Sequence, residues 1–119
     1  MWIVEVALRR LATGQTVGIQ VKTAQLDNRH AVRDVRINQA TFSAAPSTFV
    51  AVLAWIVPER RFHETCLVVP AADVPSVGSI DGPYYELHFR ADGSHEASRL
   101  DRYRVPLESL TDEISKLLG

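Results

Sequence analysis

A single cysteine, Cys66, stands among the 119 residues, so no internal disulfide can staple the fold. The lone thiol is compatible with a reducing compartment, and a cytoplasmic location is the expectation. Glycine and proline number six each, which excludes collagen-like repeats and a Pro/Gly-rich disordered chain. Long apolar runs are missing too, since nothing approaches the ~20 residues that span a bilayer. The opening Met1-Trp2-Ile3-Val4-Glu5 lacks a basic segment followed by an apolar stretch, so neither secretion nor membrane insertion is expected. Charge of one sign is also lacking: 13 Lys and Arg against 14 Asp and Glu give a net charge of -1, without the overall basic field of many nucleic-acid binders. The distribution is less even. Arg9, Arg10, Lys22, Arg29, Arg33 and Arg36 outnumber Glu5, Asp27 and Asp34 early in the chain, whereas acids prevail beyond residue 81. A local basic surface is compatible with that asymmetry.

What is present is a hydrophobic fraction of 46% and a charged fraction of 23%, spread from end to end without repeat or linker. Residues 1–119 therefore read as one domain. A chain of this length buries roughly 65% of its extended surface, enough for one core without disulfides or metal.

Trp2, Val4, Val6 and Leu8 alternate with Ile3, Glu5, Ala7 and Arg9, and Val17, Ile19 and Val21 alternate with Gly18, Gln20 and Lys22 beyond Ala12-Thr13-Gly14-Gln15. This pattern predicts a β-hairpin. With 12–15 as the loop, Leu11 falls opposite Thr16, Leu8 opposite Ile19 and Val6 opposite Val21, so the apolar faces coincide. A further strand is expected over Ala31–Ile37, and a short connecting helix over Gln39–Ala44 with Asn38 as its N-cap and Pro46 beyond it. Thr48–Val57 is apolar at nearly every position, as in a central strand buried on both faces. Pro58–Arg61 reads as a turn, Glu64–Val69 as the returning strand ended by Pro70, and Ala71–Pro83 as a surface connection with one helical turn at Ala72–Val74. Tyr84–Arg90 alternates, and a turn at Ala91–Ser94 suggests a hairpin with Ala97–Tyr103. Leu107, Leu110, Ile114, Leu117 and Leu118 recur at helical spacing behind Pro106, predicting a C-terminal amphipathic helix over one sheet face. The fold class is α/β: a mixed, largely antiparallel central sheet with a short connecting helix and a C-terminal amphipathic helix.

The same hairpin register sets Glu5 opposite Lys22 and Ala7 opposite Gln20, which clusters Glu5, Gln20 and Lys22. A carboxylate and an amide oxygen can ligate a hard cation, and an ammonium beside them can hold an attacking water or stabilise charge developing on a phosphate. On spacing alone, an ordinary cross-strand ion pair, worth less than ~1 kcal/mol, is the better account.

The segment Val17-Gly18-Ile19-Gln20-Val21-Lys22-Thr23-Ala24 resembles the (D/E/Q)-x-K strand of the PD-(D/E)xK nuclease superfamily. The resemblance extends to the order of parts: a strand, a Thr13-Gly14 turn, the Gln-x-Lys strand, a buried strand like Thr48–Val57, its returning partner ending in Val69-Pro70, and a terminal helix. About two thirds of the chain is covered, and the order carries more weight than the tripeptide. The likeness implies a restriction-endonuclease-like single domain and metal-assisted phosphodiester hydrolysis with Mg or Mn. Glu5 and Gln20 take the metal-ligand positions, and Lys22 the position of the catalytic lysine. The family's N-terminal helix and its essential Asp have no counterpart here, Glu5 being the only acid on the first strand. One carboxylate and one neutral amide hold Mg²⁺ poorly, which implies a diverged or partial member without full catalytic activity. It would bind nucleic acid or serve as a subunit of a nucleic-acid-processing assembly. An incomplete sheet leaves an edge for a homodimer or a completing protein partner. A non-enzymatic protein-interaction module and an active nuclease completed by another subunit both stay open.

Other constellations are weaker. His30, His63, His88 and His95 follow no C-x-x-C or H-x-x-x-H spacing. Cys66 lies in an apolar strand, with His63 on the opposite face if the alternation holds. Tyr84, Tyr85, Phe89, Arg90, Arg99, Arg102 and Arg104 offer stacking and phosphate contacts within a net-acidic segment. Gly78–Gly82 has two glycines but no following helix of the length a phosphate loop needs.

Overall fold

A computed structural model of the chain describes residues 2–10, 15–39, 48–92, 100–110 and 112. Two sheets make up most of it. Strands β1 (Trp2–Arg10), β2 (Gln15–Leu26), β4 (Thr48–Ile56), β6 (Thr65–Pro70) and β9 (Arg104–Pro106) lie side by side in that order, with the two-residue β5 (Arg61–Phe62) also paired to β4. The second sheet has the order β3 (Val32–Asn38), β8 (Tyr84–Arg90), β7 (Ser79–Asp81). Among the described residues only β2 and β4 run parallel; the other pairings are antiparallel. A single turn of helix, α1 (Val74–Val77), follows a 3₁₀ turn at Ala71–Asp73. The architecture among the described residues is thus mixed, mostly strand, and built on a largely antiparallel sheet. No helix among them is long and apolar enough to cross a membrane.

The two sheets close on one core. Ala24 and Leu26 of β2, Val50, Val52, Ala54 and Ile56 of β4, and Leu67 and Val69 of β6 meet Val35 and Ile37 of β3 and Leu87 and Phe89 of β8. Alternation places each of these sets on one face of its strand. The outer face of the larger sheet carries a second, smaller cluster with Ile19 and Ala51 buried and Val21, Phe49 and Leu53 against them. The inner face of β4 is buried from Val50 to Ile56, and on its outer face Ala51 is buried while Phe49, Leu53 and Trp55 are half-buried, which accounts for its nearly continuous apolar run.

Several expectations are corrected. The first hairpin forms, but Val6 pairs with Ile19 and Val4 with Val21, two residues away from the expected register. A shift of two preserves every inside–outside assignment, so alternation cannot detect it; the turn decides. Here Arg10 is already paired with Gln15, leaving only residues 11–14 between the paired ends. β8 pairs with β3 along its length and with β7 at Tyr84–Glu86. Of the expected hairpin partner Ala97–Tyr103, Asp101–Tyr103 is a 3₁₀ turn, while residues 97–99 and the expected turn beyond Asp92 lie outside the described residues. The connection 71–83 is more than surface: Ala71 and Val74 are fully buried, and Ser79–Asp81 forms the edge strand β7. After Pro106 the chain makes a 3₁₀ turn at Leu107–Ser109. Leu110 and Asp112 beyond it are helical, and the remainder of the expected C-terminal helix lies outside the described residues, as does the expected helix of Gln39–Ala44 beyond Gln39.

Candidate functional site

Gln20 and Lys22 lie two apart on β2, on the face that continues into Ala24 and Leu26 and hence into the space between the sheets. In the observed register Glu5 stands against Gln20, and Lys22 against Ile3 on one side and Val52 on the other. The expected Glu5–Lys22 opposition is therefore replaced by Glu5–Gln20, a direct result of the two-residue shift. All three positions still belong to one patch of the sheet.

The environment of Lys22 differs most from the expectation of a solvated hairpin face. Lys22 is 2% exposed, and its Nζ donates a hydrogen bond to the backbone carbonyl of Arg36 on β3. The side chain of Arg36 turns outward, pairing with Asp81 at 3.1 Å and Glu86 at 3.2 Å and lying 5.5 Å from the Tyr84 ring centre. Lys22 thus bridges the two sheets, satisfying a carbonyl of the strand that borders the smaller one. Burial pushes its pKa below the ordinary value, because the charged form loses hydration. Among the described residues it has no ion pair. Gln20 is half-buried, and its Oε1 is inaccessible to solvent and has no hydrogen-bond partner among the described residues.

An inaccessible acceptor next to a buried ammonium is an unusual pair, and the donor set can be tested against a hard divalent cation. Mg²⁺ and Mn²⁺ favour about six oxygen ligands, carboxylates prominent among them. The described side chains supply one neutral amide oxygen beside a positive charge. On their own they do not fit the ion. No group of three or more His, Cys, Asp or Glu that could hold a metal occurs among the described residues.

The remaining candidates disperse. His88 pairs with Asp34 at 2.8 Å on the surface, His30 pairs with Asp92, and His95 lies outside the described residues. His63 is 7% exposed and accepts a 3.1 Å hydrogen bond at Nδ1 from the Thr65 N–H; burial holds its pKa below 6.5. Cys66 is fully buried, burial pushes its thiol up to about 11, and alternation sets it on the face opposite Thr65 and Leu67. Neither geometry nor protonation suits a Cys–His pair. Gly82, at φ +55°, makes the β7–β8 turn, so the Gly78–Gly82 segment is a hairpin element rather than a phosphate loop. Phe89 is buried in the core, and Arg104 donates to the carbonyls of Ala91 at 2.5 Å and Arg90 at 3.0 Å, which pins the chain leaving β8.

Two features were not anticipated from the sequence. Arg29 bridges Glu59 at 3.1 Å and Glu64, while Arg61 meets the same two carboxylates at 3.0 and 3.5 Å. Arg29 holds the Glu64 carboxyl down at about 2. Beside this network, Thr23, Gln25, Trp55 and Phe62 line a cavity of about 300 Å³ on the outer face of the larger sheet.

Comparison of the chain with protein-family models, with curated proteins and with solved structures finds no match.

Proposed function

We propose that the chain is a diverged or partial nuclease-fold protein of the restriction-endonuclease-like kind. In this reading it works without full catalytic activity in the cytoplasm, binding nucleic acid or serving as a subunit of a nucleic-acid-processing assembly. The observation that carries the reading is the placement of Glu5, Gln20 and Lys22 on adjacent positions of β1 and β2. It is supported by the larger sheet, where the preceding strand, the Gln-x-Lys strand, the buried strand and its returning partner are consecutive neighbours. The burial of Lys22 against a backbone carbonyl supports the loss of catalysis, since an ammonium so placed does not reach a phosphate. Mg- or Mn-dependent cutting would need Lys22 released and carboxylates added to Glu5 and Gln20 by another subunit.

The test is incubation of labelled single- and double-stranded DNA and RNA with Mg²⁺ or Mn²⁺, the Lys22→Ala protein run alongside. The expected result is retention of nucleic acid that weakens with salt, with no cutting. Metal-dependent cutting abolished by Lys22→Ala would overturn the loss of catalysis and favour an enzyme completed by a second subunit.

A second reading, a non-enzymatic protein-interaction module, draws on one observation. Ile80 is 72% exposed in the centre of β7, an edge strand of the smaller sheet. Such an edge can pair with a second copy or another protein. A stable dimer by light scattering that ignores nucleic acid would favour it.

A further inference from the structure

The outer face of the larger sheet is apolar across its strands. Ile19 of β2 and Ala51 of β4 are buried there, and Val21, Thr23, Phe49, Leu53 and Trp55 beside them are half-buried. Register sets Val68 of β6 against Ala51 and Val105 of β9 against Cys66, so the apolar surface continues to the β9 edge. At one end Trp55 and Phe62 meet edge to face with ring centres 5.0 Å apart and wall the cavity of about 300 Å³, whose lining is almost wholly apolar. A sheet face of this kind is stable when another element covers it. β3 and β8, with Val74 of α1, belong to the core on the other side, and among the described residues the outer cluster holds side chains of β2 and β4 alone.

The chain's last stretch begins beside this face. Pro106 at the end of β9 is registered against Thr65, and the Leu107 N–H donates to the Glu64 carbonyl at 2.7 Å. Glu64 is two residues beyond Phe62, so the chain departs at the end of the sheet that holds the cavity. The 3₁₀ turn Leu107–Ser109 leads into Leu110 and Asp112, both helical. Amphipathicity is already expressed here, because Leu107 and Leu110 are half-buried while Glu108 and Asp112 are exposed. The same spacing carries the apolar stripe onward through Ile114, Leu117 and Leu118, with Glu108, Asp112, Ser115 and Lys116 away from it.

Length and tether select the occupant. A helix continued to Gly119 is about 20 Å long, and strands ~4.8 Å apart place β2 about 14 Å from β9. The segment therefore has the reach to cross β6, β4 and β2. A second copy would have to compete with a segment fixed at the edge of the face, which the tether holds at a high effective concentration.

We propose that the C-terminal segment Leu110–Leu118 is the partner of this face, crossing the outer side of the larger sheet as an amphipathic helix with its leucines and Ile114 inward and closing the Trp55–Phe62 cavity. The larger sheet is then the middle of three layers. Its outer face is withheld from other molecules, and any partner meets the chain elsewhere. This holds whether or not the chain binds nucleic acid.

The test is nuclear magnetic resonance with a nitroxide attached at Lys116→Cys, a position away from the apolar stripe. Cys66 is buried with its thiol raised to about 11, so the label goes to the new cysteine. The expected result is loss of the Val21 and Leu53 amide signals, with that of His88 on the smaller sheet retained. Mixing nitroxide-bearing chains with isotope-labelled chains that carry none should leave all three signals intact. Retention of Val21 and Leu53 in the labelled chain itself, or loss at His88 in their place, would overturn the docking. Loss that appears in the mixture would overturn the chain's own segment as the occupant and assign the face to a second copy. Ile114→Asp combined with Leu117→Asp should lower the Tm by several degrees, whereas Lys116→Glu should leave it unchanged. Equal melting of parent and both variants would also overturn the proposal, and the nitroxide measurement stands should the double variant fail to fold.

Discussion

Lys22→Met keeps a flexible chain of similar length on the inner face of β2 and removes the ammonium together with its hydrogen bond to the Arg36 carbonyl. Two opposing effects set the sign. The carbonyl loses its partner where water is largely excluded, which costs about 1–3 kcal/mol. Against this, an ammonium no longer has to be held at 2% exposure without an ion pair, and burying such a charge costs several kcal/mol. The lowered pKa of Lys22, whose cause is burial, sets the lost hydration of the charge on the side of the methionine. Lys22→Met is therefore expected to match or exceed the parent in stability near neutrality. Lys22→Ala deletes three packed methylenes at ~0.8 kcal/mol each and leaves a void, so it should lose about 2–4 kcal/mol. The pH dependence gives a second signature. Between the lowered pKa and the ordinary 10.5 the unfolded chain binds the Lys22 proton and the folded chain does not. Stability at this site is thus greatest above the ordinary value and falls as pH drops to the lowered one. Urea denaturation of parent and Lys22→Met from neutral to alkaline pH measures the difference, in which shared contributions such as that of Cys66 cancel. A methionine protein less stable by more than ~2 kcal/mol, with a difference independent of pH, would refute the reasoning and make the ammonium a net stabilising clamp.

Three further outcomes follow from the same structure. His63 is held below 6.5 by burial, so the fold loses stability as pH falls from about 6.5 through the lowered pKa. His63→Asn, which retains an acceptor for the Thr65 N–H, should flatten that part of the acid limb in thermal melts, and unchanged slopes would reject it. Glu64 owes its pKa of about 2 first to the hydrogen bond from Arg29, so Arg29→Ala should return it toward 4.5 in a carboxylate NMR titration, with the parent's shift reduced by salt. Cys66, buried and raised to about 11, should react with an aromatic disulfide reagent only as fast as the chain opens; prompt reaction of the native protein would contradict its placement.

What could be read from the sequence was set by neighbours along the chain. The alternation of β1, β2 and β8, the apolar run of β4 and its return through β6 are local patterns of period and turn. The register of the first hairpin was not readable from alternation, since any shift of two residues preserves the apolar faces, and the turn that selects among them leaves little trace in composition. The aromatic cavity depends on one such pairing: Trp55 belongs to a run that reads as core, and only the β4–β5 register brings Phe62 against it. Lys22 shows the limit most clearly. Within the isolated hairpin, Gln20 and Lys22 mark a polar face, and a polar face reads as solvent-exposed. Yet that face continues through Ala24 and Leu26, both buried, and a polar face that becomes apolar before its strand ends is passing beneath another layer. That layer is β3 and β8, the latter more than fifty residues further on, and no local periodicity announces where a distant sheet will settle. Once it closes, the lysine of the Gln-x-Lys pattern has a backbone carbonyl rather than solvent within reach. The motif was legible as a spacing; whether it is chemistry or a cross-link between sheets is decided by how far the second sheet extends over the first.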